Sequence, residues 1–550
     1  MGYDVRDLGP APIISHICRQ LKVRQSVNQE VAWDEKQCWL DPGLHTEALI
    51  INILCRRDPL YQVERFYQEL DLELLFGPGV EAPHFNDDAL GHTLDKIYAA
   101  GPRKVFSAVT FKALAEENLS CRVLHGDTTA RLLYGEHPHL EGLQVNRGYN
   151  KEGRKDLKQI KVGLVTNQDG FPVLGDILNG NLDDKTWNKR LLENLPQHFT
   201  VEQLRDTVYV ADSALVTEDS FNTMGREIKF ISRLADRFKL STELIKAAFS
   251  RNQWEDLGQL APGKNSASYK VQELTEELYG HQCRFLVVYS NKLDQRKLKA
   301  FDKWLKKYQE KLGQKTQEIM KQTFACEADA QDALARFLKE HQNELYPLKG
   351  KVVKVSQKAK RQKRGRPPKN EEPEYHDIYQ LQLEVGALDE NAYQLEKERL
   401  SCFVLVTNMF DRYSSYEILK EYKQQTVVEN RFKFVKHPLY VGPLWLQRND
   451  RLEAMSYVIL MALAVYIVLQ RRVRQALENA EEPLIIAGKK KSFNPTGNRV
   501  LELFRGVKIV HIKENDTVKR FLPDRFENEL KRVLNILGFD ANIFTHPRPP

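Results

Sequence analysis

Met455 to Leu469 reads MSYVILMALAVYIVL, fifteen residues without a charge, and Gln470, Arg471 and Arg472 follow at once. A bilayer needs roughly twenty such residues to span its hydrocarbon, and this run falls short. It is therefore predicted as a helix apolar all round and buried within a protein core. The chain has 550 residues, too many for one ordinary core and enough for two to four domains. Apolar residues make up 42% and charged residues 29%, the balance of a soluble globular protein. Seven cysteines, Cys18, Cys38, Cys55, Cys121, Cys283, Cys326 and Cys402, include no CxxC pair. They are read as reduced thiols with no zinc site, in a cytoplasmic protein without a membrane association. The N-terminal MGYDVRDLGPAPIISHICRQL lacks the basic start and apolar run of a secretory leader. A net charge of +7 says little about nucleic acid, so the placement of charge matters more.

The texture of the chain changes along its length. Residues 1–115 read as a helical N-terminal domain, with apolar positions at helical spacing in 45–57 and 87–100. From 116 to 235 short β-type runs appear: CRVLHGD (121–127), KQIKVGLVTN (158–167), FPVLGDIL (171–178) and DTVYVAD (206–212). Asp169-Gly170 marks a hairpin between two of them. With the helical stretch 183–195, this predicts the first part of a mixed α/β core. Residues 236–400 read as an α+β insertion domain, containing a strand at 283–290, a charged helix at 293–322 and a strand at 376–385. The core resumes at 401–475 with the strand SCFVLVTN and the helix 414–436, and 476–550 form a C-terminal region.

Asp127 and Asp212 each end an apolar strand, and functional groups gather where the strands of open α/β sheets end. The alternative for each is a cap on the following turn. On the helix 414–436, Tyr422, Gln425, Glu429 and Lys436 stand at i, i+3, i+7 and i+14. At about 100° per residue they share one polar stripe roughly 60° wide, which also fits an ordinary solvated face. Three carboxylates suit phosphoryl transfer on DNA, where two Mg²⁺ ions roughly 3.5–4 Å apart activate the nucleophile and stabilise the leaving oxygen. Mg²⁺ takes hard oxygen ligands and keeps several waters, so few carboxylates are required. In that scheme Asp127 bridges the two ions, Asp212 and Glu429 hold one each, and Lys436 contacts a phosphate.

The pattern resembles the prokaryotic insertion-sequence transposases with a DDE triad on a ribonuclease-H-like fold. In the nearest subgroup the last catalytic helix reads tyrosine, two residues, arginine, three residues, glutamate, six residues, lysine. Tyr422, Glu429 and Lys436 match in type and spacing, while Gln425 stands where arginine is usual. LHGDTT (124–129) and VADSALVT (210–217) are similar to the two aspartate strands, and 148–165 and 169–184 to the segments between them. Residues 403–408 and 437–468 resemble the flanks of the catalytic glutamate, and 8–21 the helical start of such proteins. Asp127 to Asp212 is 85 residues and Asp212 to Glu429 is 217, the longer gap holding the insertion domain. The resemblance implies a ribonuclease-H-like mixed-sheet core interrupted by that insertion. It implies a catalytic, metal-binding triad of Asp127, Asp212 and Glu429, with two Mg²⁺ ions per site that Mn²⁺ replaces. It also implies a nucleoid-associated enzyme that binds the inverted repeats of its element as a homodimer, through the N-terminal helical domain, and cuts and joins double-stranded DNA.

The sharpest charge cluster, residues 349–369, holds ten Lys or Arg and no acid, and would neutralise phosphates. Within it Lys363, Arg364 and Arg366 resemble an AT-hook core entering a narrow minor groove; a flexible solvated loop is the alternative. Tyr422, Gln425 and Lys436 complete the expected DNA contacts. Two other readings fit the same residues: a catalytically silent DNA-binding protein derived from a transposase, and a nuclease on the same fold that cuts without joining.

Overall fold

The computed structural model describes residues 2–137, 142–225, 227–261, 266–292, 294–358, 375–436, 446–514, 517–522 and 528–547. It is mixed α/β. Strand β1 (Gly2–Asp7) precedes helices α1 (Ala11–Gln20), α2 (Val23–Glu30), α3 (Pro42–Cys55), α4 (Leu60–Gln68), α5 (Leu72–Phe76), α6 (Asp87–Ala100) and α7 (Pro102–Glu116). Next come β2 (Val123–Leu133), β3 (Lys158–Asn167), β4 (Pro172–Asn179), α8 (Asp184–His198), α9 (Val201–Asp206), β5 (Val208–Ala211), α10 (Glu218–Met224) and β6 (Lys229–Leu234). They are followed by α11 (Lys239–Arg251), β7 (Glu255–Gln259), β8 (Ser268–Leu278), β9 (His281–Ser290), α12 (Gln295–Met320), β10 (Thr323–Phe324), α13 (Glu327–His341), β11 (Leu348–Lys358), β12 (Tyr375–Val385), α14 (Glu390–Leu400) and β13 (Cys402–Thr407). The last described elements are α15 (Ser415–Gln424), α16 (Thr426–Lys436), α17 (Asn449–Glu478), β14 (Leu484–Ile486), β15 (Lys490–Ser492), α18 (Gly497–Leu503), β16 (Lys508–Glu514), β17 (Thr517–Phe521) and α19 (Asn528–Leu537).

The chain divides into two compact units. One comprises Met1–Arg233, Glu277–Gln282 and Thr407–Pro550, the other Leu234–Glu276 and Cys283–Val406. The sequence reading had set the insertion at 236–400.

In the first unit the apolar run becomes the centre of α17, buried at every position from Ala454 to Gln470. It is the one helix among the described residues apolar and long enough to cross a membrane, and 94% of its apolar window is buried inside the protein. Covering all its sides takes several elements: α3, α6, α7, α19 and β4 pack against it. The N-terminal helices, expected as a separate domain, therefore form part of the same unit as the strands. Each fully buried Leu, Ile or Val contributes about 1.5–3 kcal/mol of transfer free energy. The few polar atoms are partnered: the Gly497 amide donates to Gln470 Oε1 (3.1 Å) and the Ile177 amide to Tyr457 Oη (3.3 Å).

Beside this helix, the strands run in the order β4-β3-β2-β5-β6. β3 pairs antiparallel with both β4 and β2, whereas β5 pairs parallel with β2 and β6. The β3–β4 turn closes as the sequence predicts: Asn167 Oδ1 accepts from the Asp169 and Phe171 amides, and Gly170 takes a φ of +74°, a region that glycine enters without strain. A smaller antiparallel sheet, β1-β16-β17, joins the two ends of the unit in the register Gly2↔Lys513 to Asp7↔Lys508.

The second unit contains the antiparallel sheet β10-β12-β11, with β11 and β12 paired along eleven residues each. One face of that ribbon, including Leu348, Leu381 and Leu383, packs on α12 and α13 through Leu305, Leu312, Ala330 and Phe337.

Two local expectations change. Asp127 does not end its strand, because β2 continues to Leu133 and pairs with Lys158–Gly163. The helix 414–436 is not continuous: α15 ends at Gln424, Gln425 caps it, and α16 starts at Thr426. Thr426, Val427 and Val428 are β-branched and lose side-chain freedom in a helix, so the ladder is weakest there.

Candidate active site

The parallel register of β2 and β5 ends with Gly126 beside Ala211, so the next residues, Asp127 and Asp212, emerge at neighbouring points of two adjacent strands. The close approach has a local cause. A Cβ on Gly126 would lie 2.3 Å from the Tyr209 hydroxyl, so only glycine fits in LHGD; that hydroxyl donates to Asn188 Oδ1 on α8 (2.8 Å). Asp127 Oδ1 accepts from the Thr128 amide (2.8 Å). Asp212 Oδ1 accepts from the Ala214 amide (2.9 Å) and caps a short 3-10 turn, the structural role weighed for it above.

Burial dominates the electrostatics. The Asp127 carboxyl is pushed up to about 7, first by desolvation and then by the charge of Asp212, with Asp184 adding to the rise; the Thr128 amide and Lys151 oppose it. Asp212 is raised too, by burial and by Asp184, against the Ala214 amide and Lys151. Two carboxylates thus crowd one partly dry spot with one ammonium near them. A divalent cation would relieve both the repulsion and the desolvation, and hard oxygen donors are what Mg²⁺ requires.

Glu429 stands differently. α16 packs on β2, β3 and α17. It is pinned at its middle and near its C-terminus, for Arg431 Nε donates to the Gly170 carbonyl (3.0 Å) and Arg131 Nη1 to the Val435 carbonyl (2.8 Å). Glu429 lies on the exposed side of this helix, and its carboxylate makes no hydrogen bond or ion pair to a described residue. Among the described residues no group of three or more His, Cys, Asp or Glu could hold a metal ion. The structure brings Asp127 and Asp212 together, and Glu429 stands exposed on a helix that packs against the Asp127 strand. Lys436, one stripe with Glu429 within α16, pairs with Glu152 (2.8 Å). Tyr422 lies in α15 and Gln425 at the junction, where the backbone stays helical and the Gln425 carbonyl accepts from the Glu429 amide (3.4 Å). Lys363, Arg364 and Arg366 lie outside the described residues.

Four residues near the aspartates escaped the sequence reading: Thr128, Lys151, Lys161 and Asp184. Thr128 Oγ1 donates to Asp184 Oδ1 (2.5 Å), and Lys161 Nζ pairs with the same oxygen (2.9 Å). Asp184 begins α8 directly after its N-cap, Asp183, so in sequence it reads as a first-turn acid. His125, two residues before Asp127, is fully buried with neither ring nitrogen partnered, and burial lowers it to about 4, so its ring is neutral. Thr166, its cross-strand neighbour, also has a buried hydroxyl without a partner.

The model of a domain of unknown function, DUF4277, matches residues 3–111. That stretch covers β1 and α1 to α6, with most of α7, and ends before the first site residue. No curated protein matches the chain.

Proposed function

We propose that the chain is a DDE transposase with a ribonuclease-H-like core. It acts in the cytoplasm on double-stranded DNA, as a homodimer on the ends of its element. The observation that carries this reading is the pair of buried, mutually repelling aspartates on adjacent parallel strands. The strand, hairpin, helix, strand order around them and the packing of α16 on β2 support it. Asp127 and Asp212 would hold Mg²⁺, or Mn²⁺ in its place, and Glu429 would complete the set. When bound, the two metal ions supply the positive charge that phosphoryl transfer needs. Lys151 lends charge beside the pair, Asp184 orders Thr128 and Lys161, and Lys436 exchanges Glu152 for a phosphate. Burial excludes water and strengthens every charge interaction there. The N-terminal helices would bind the DNA ends.

The test is Mg²⁺-dependent nicking and strand transfer on a duplex that carries the element's ends. Asp127→Asn, Asp212→Asn and Glu429→Gln should each lower cleavage by about a hundredfold to a thousandfold while DNA binding persists, since loss of one transition-state charge interaction is worth roughly 3–4 kcal/mol. Wild-type rates in Glu429→Gln would remove that residue from the site. The exposed position of Glu429 favours a second reading, a DNA-binding protein that no longer cuts; binding without cleavage at any divalent metal would establish it. Cutting without joining would identify a nuclease instead.

A further inference from the structure

Helix α12 has two unlike sides. Leu305, Leu312 and Thr316 are buried, and Phe301, Tyr308 and Ile319 pack beside them in the core of the second unit. Diametrically opposite, Arg296, Lys299, Lys303, Lys306 and Lys307 fall in one stripe, roughly 100° wide at 3.6 residues per turn. Every one is exposed. Glu310 is the one acid on that stripe, and Gln314 and Gln317 extend it toward the C-terminus.

The lysines of the stripe differ from several others on helices. Lys104, Lys112, Lys189 and Lys239, also on helices, each hold a carboxylate. Lys299, Lys303, Lys306 and Lys307 have no hydrogen bond or ion pair to a described residue. Four ammonium groups thus crowd about two turns, with Asp302 and Glu310 as neighbouring acids on the helix but no ion pair formed, a self-repulsion that an external polyanion would relieve.

We infer that this face of α12 binds the phosphate backbone of duplex DNA. Charge selects a polyanion. The absence of any apolar side chain on the stripe selects against a protein surface, whose interfaces need buried apolar or aromatic anchors. Lys299 and Lys307 are separated by about 12 Å along the axis, close to the width of about 12 Å of the major groove. The same unit carries the strongly basic run 349–369, of which Lys349 and Lys351 stand exposed on β11. The inference rests on the DNA reading of the chain but not on its carboxylate site, so it is measured without divalent metal.

The experiment is fluorescence anisotropy of the full-length protein with a mixed-sequence DNA duplex in EDTA, across about 50 to 200 mM salt. Lys299→Gln, Lys303→Gln, Lys306→Gln and Lys307→Gln together should lower the slope of log K against log salt by about 3.6, at about 0.9 per phosphate contact. Binding should weaken alike for all sequences. Removing the paired Lys189 and Lys239, which lie outside the N-terminal helices, should leave the slope unchanged. An unaltered slope in the α12 variant overturns the inference, as does an equal loss in the control. So does loss of binding to polyglutamate with DNA binding intact, which would make the face a protein contact. Unchanged circular dichroism and melting show that the variants fold. Loss of the slope with Mg²⁺-dependent cleavage absent even in wild type would sustain this surface while the catalytic reading fails.

Discussion

The two longest helices, α17 with 30 residues and α12 with 26, are built of similar backbone and have opposite surroundings. α17 is apolar on every side through its middle and is enclosed. α12 repeats its apolar residues at helical spacing and buries a single stripe, leaving lysines over the rest. Length therefore says little about what a helix does, and the period of its apolar residues says a great deal. An enclosed helix organises the elements around it, whereas a one-sided helix leaves a surface for something else to use.

That contrast is open to measurement. Leu463→Ala in α17 should destabilise the protein by about 4 kcal/mol and Leu312→Ala in α12 by about 2 kcal/mol, because the cost rises with the cavity that cannot collapse. Phe301, Tyr308 and Ile319 beside Leu312 are only partly buried and have room to relax. Urea denaturation followed by circular dichroism gives both values, and equal losses would erase the distinction.

The Asp127–Asp212 pair is a third case, a polar spot in a dry place. A carboxyl whose ordinary value is 3.8 and whose folded value is about 7 is protonated in both states at low pH and ionises first in the unfolded chain. Its contribution is intact below pH 3.8 and is lost as pH rises toward 7. The full displacement corresponds to about 4 kcal/mol at 1.36 kcal/mol per unit. Shared titration with Asp212 cuts that to about 2 kcal/mol. Asp127→Asn should therefore stabilise the metal-free protein by about 2 kcal/mol at pH 8 and by nothing at pH 4. Thermal melts at the two pH values check this, and a difference of the opposite sign would mean that the pair is not buried. The smallest effect belongs to α12. Lys303→Gln should shift stability by less than about 0.5 kcal/mol, as solvated surface changes do; a larger loss would show the lysine to be a packing element.

Much of this architecture is legible in the chain. Fifteen uncharged residues announce the enclosed helix, Asp169-Gly170 the β3–β4 hairpin, and lysines at helical spacing the outer side of α12. What escapes is whatever depends on partners distant in sequence. Thr128 to Leu133 extend β2 because Lys158–Gly163 pair with them, and a short run cannot disclose its partner. The split at Gln425 was masked by the regular spacing of Tyr422, Glu429 and Lys436, a pattern of side-chain types that does not register three β-branched residues weakening the backbone between them. The N-terminal helices read as a domain by themselves because apolar residues recur at helical spacing within them, yet α1, α3, α6 and α7 meet α17, some four hundred residues away. At the site, Asp127 and Asp212 stood out as acids at apolar runs. Asp184 did not, since an acid in the first turn of a helix is explained by the helix alone.

The pairing of β1 with β16 has a temporal side. Gly2 and its partner, Lys513, are far apart in the order of synthesis. At about 5–20 residues per second, roughly 25–100 s of synthesis separate them. Throughout that interval the first strand is an open edge, with Tyr3 and Val5 still exposed even in the finished sheet. In the unit that also houses Asp127 and Asp212, this sheet closes only after the segment inserted within that unit has been made.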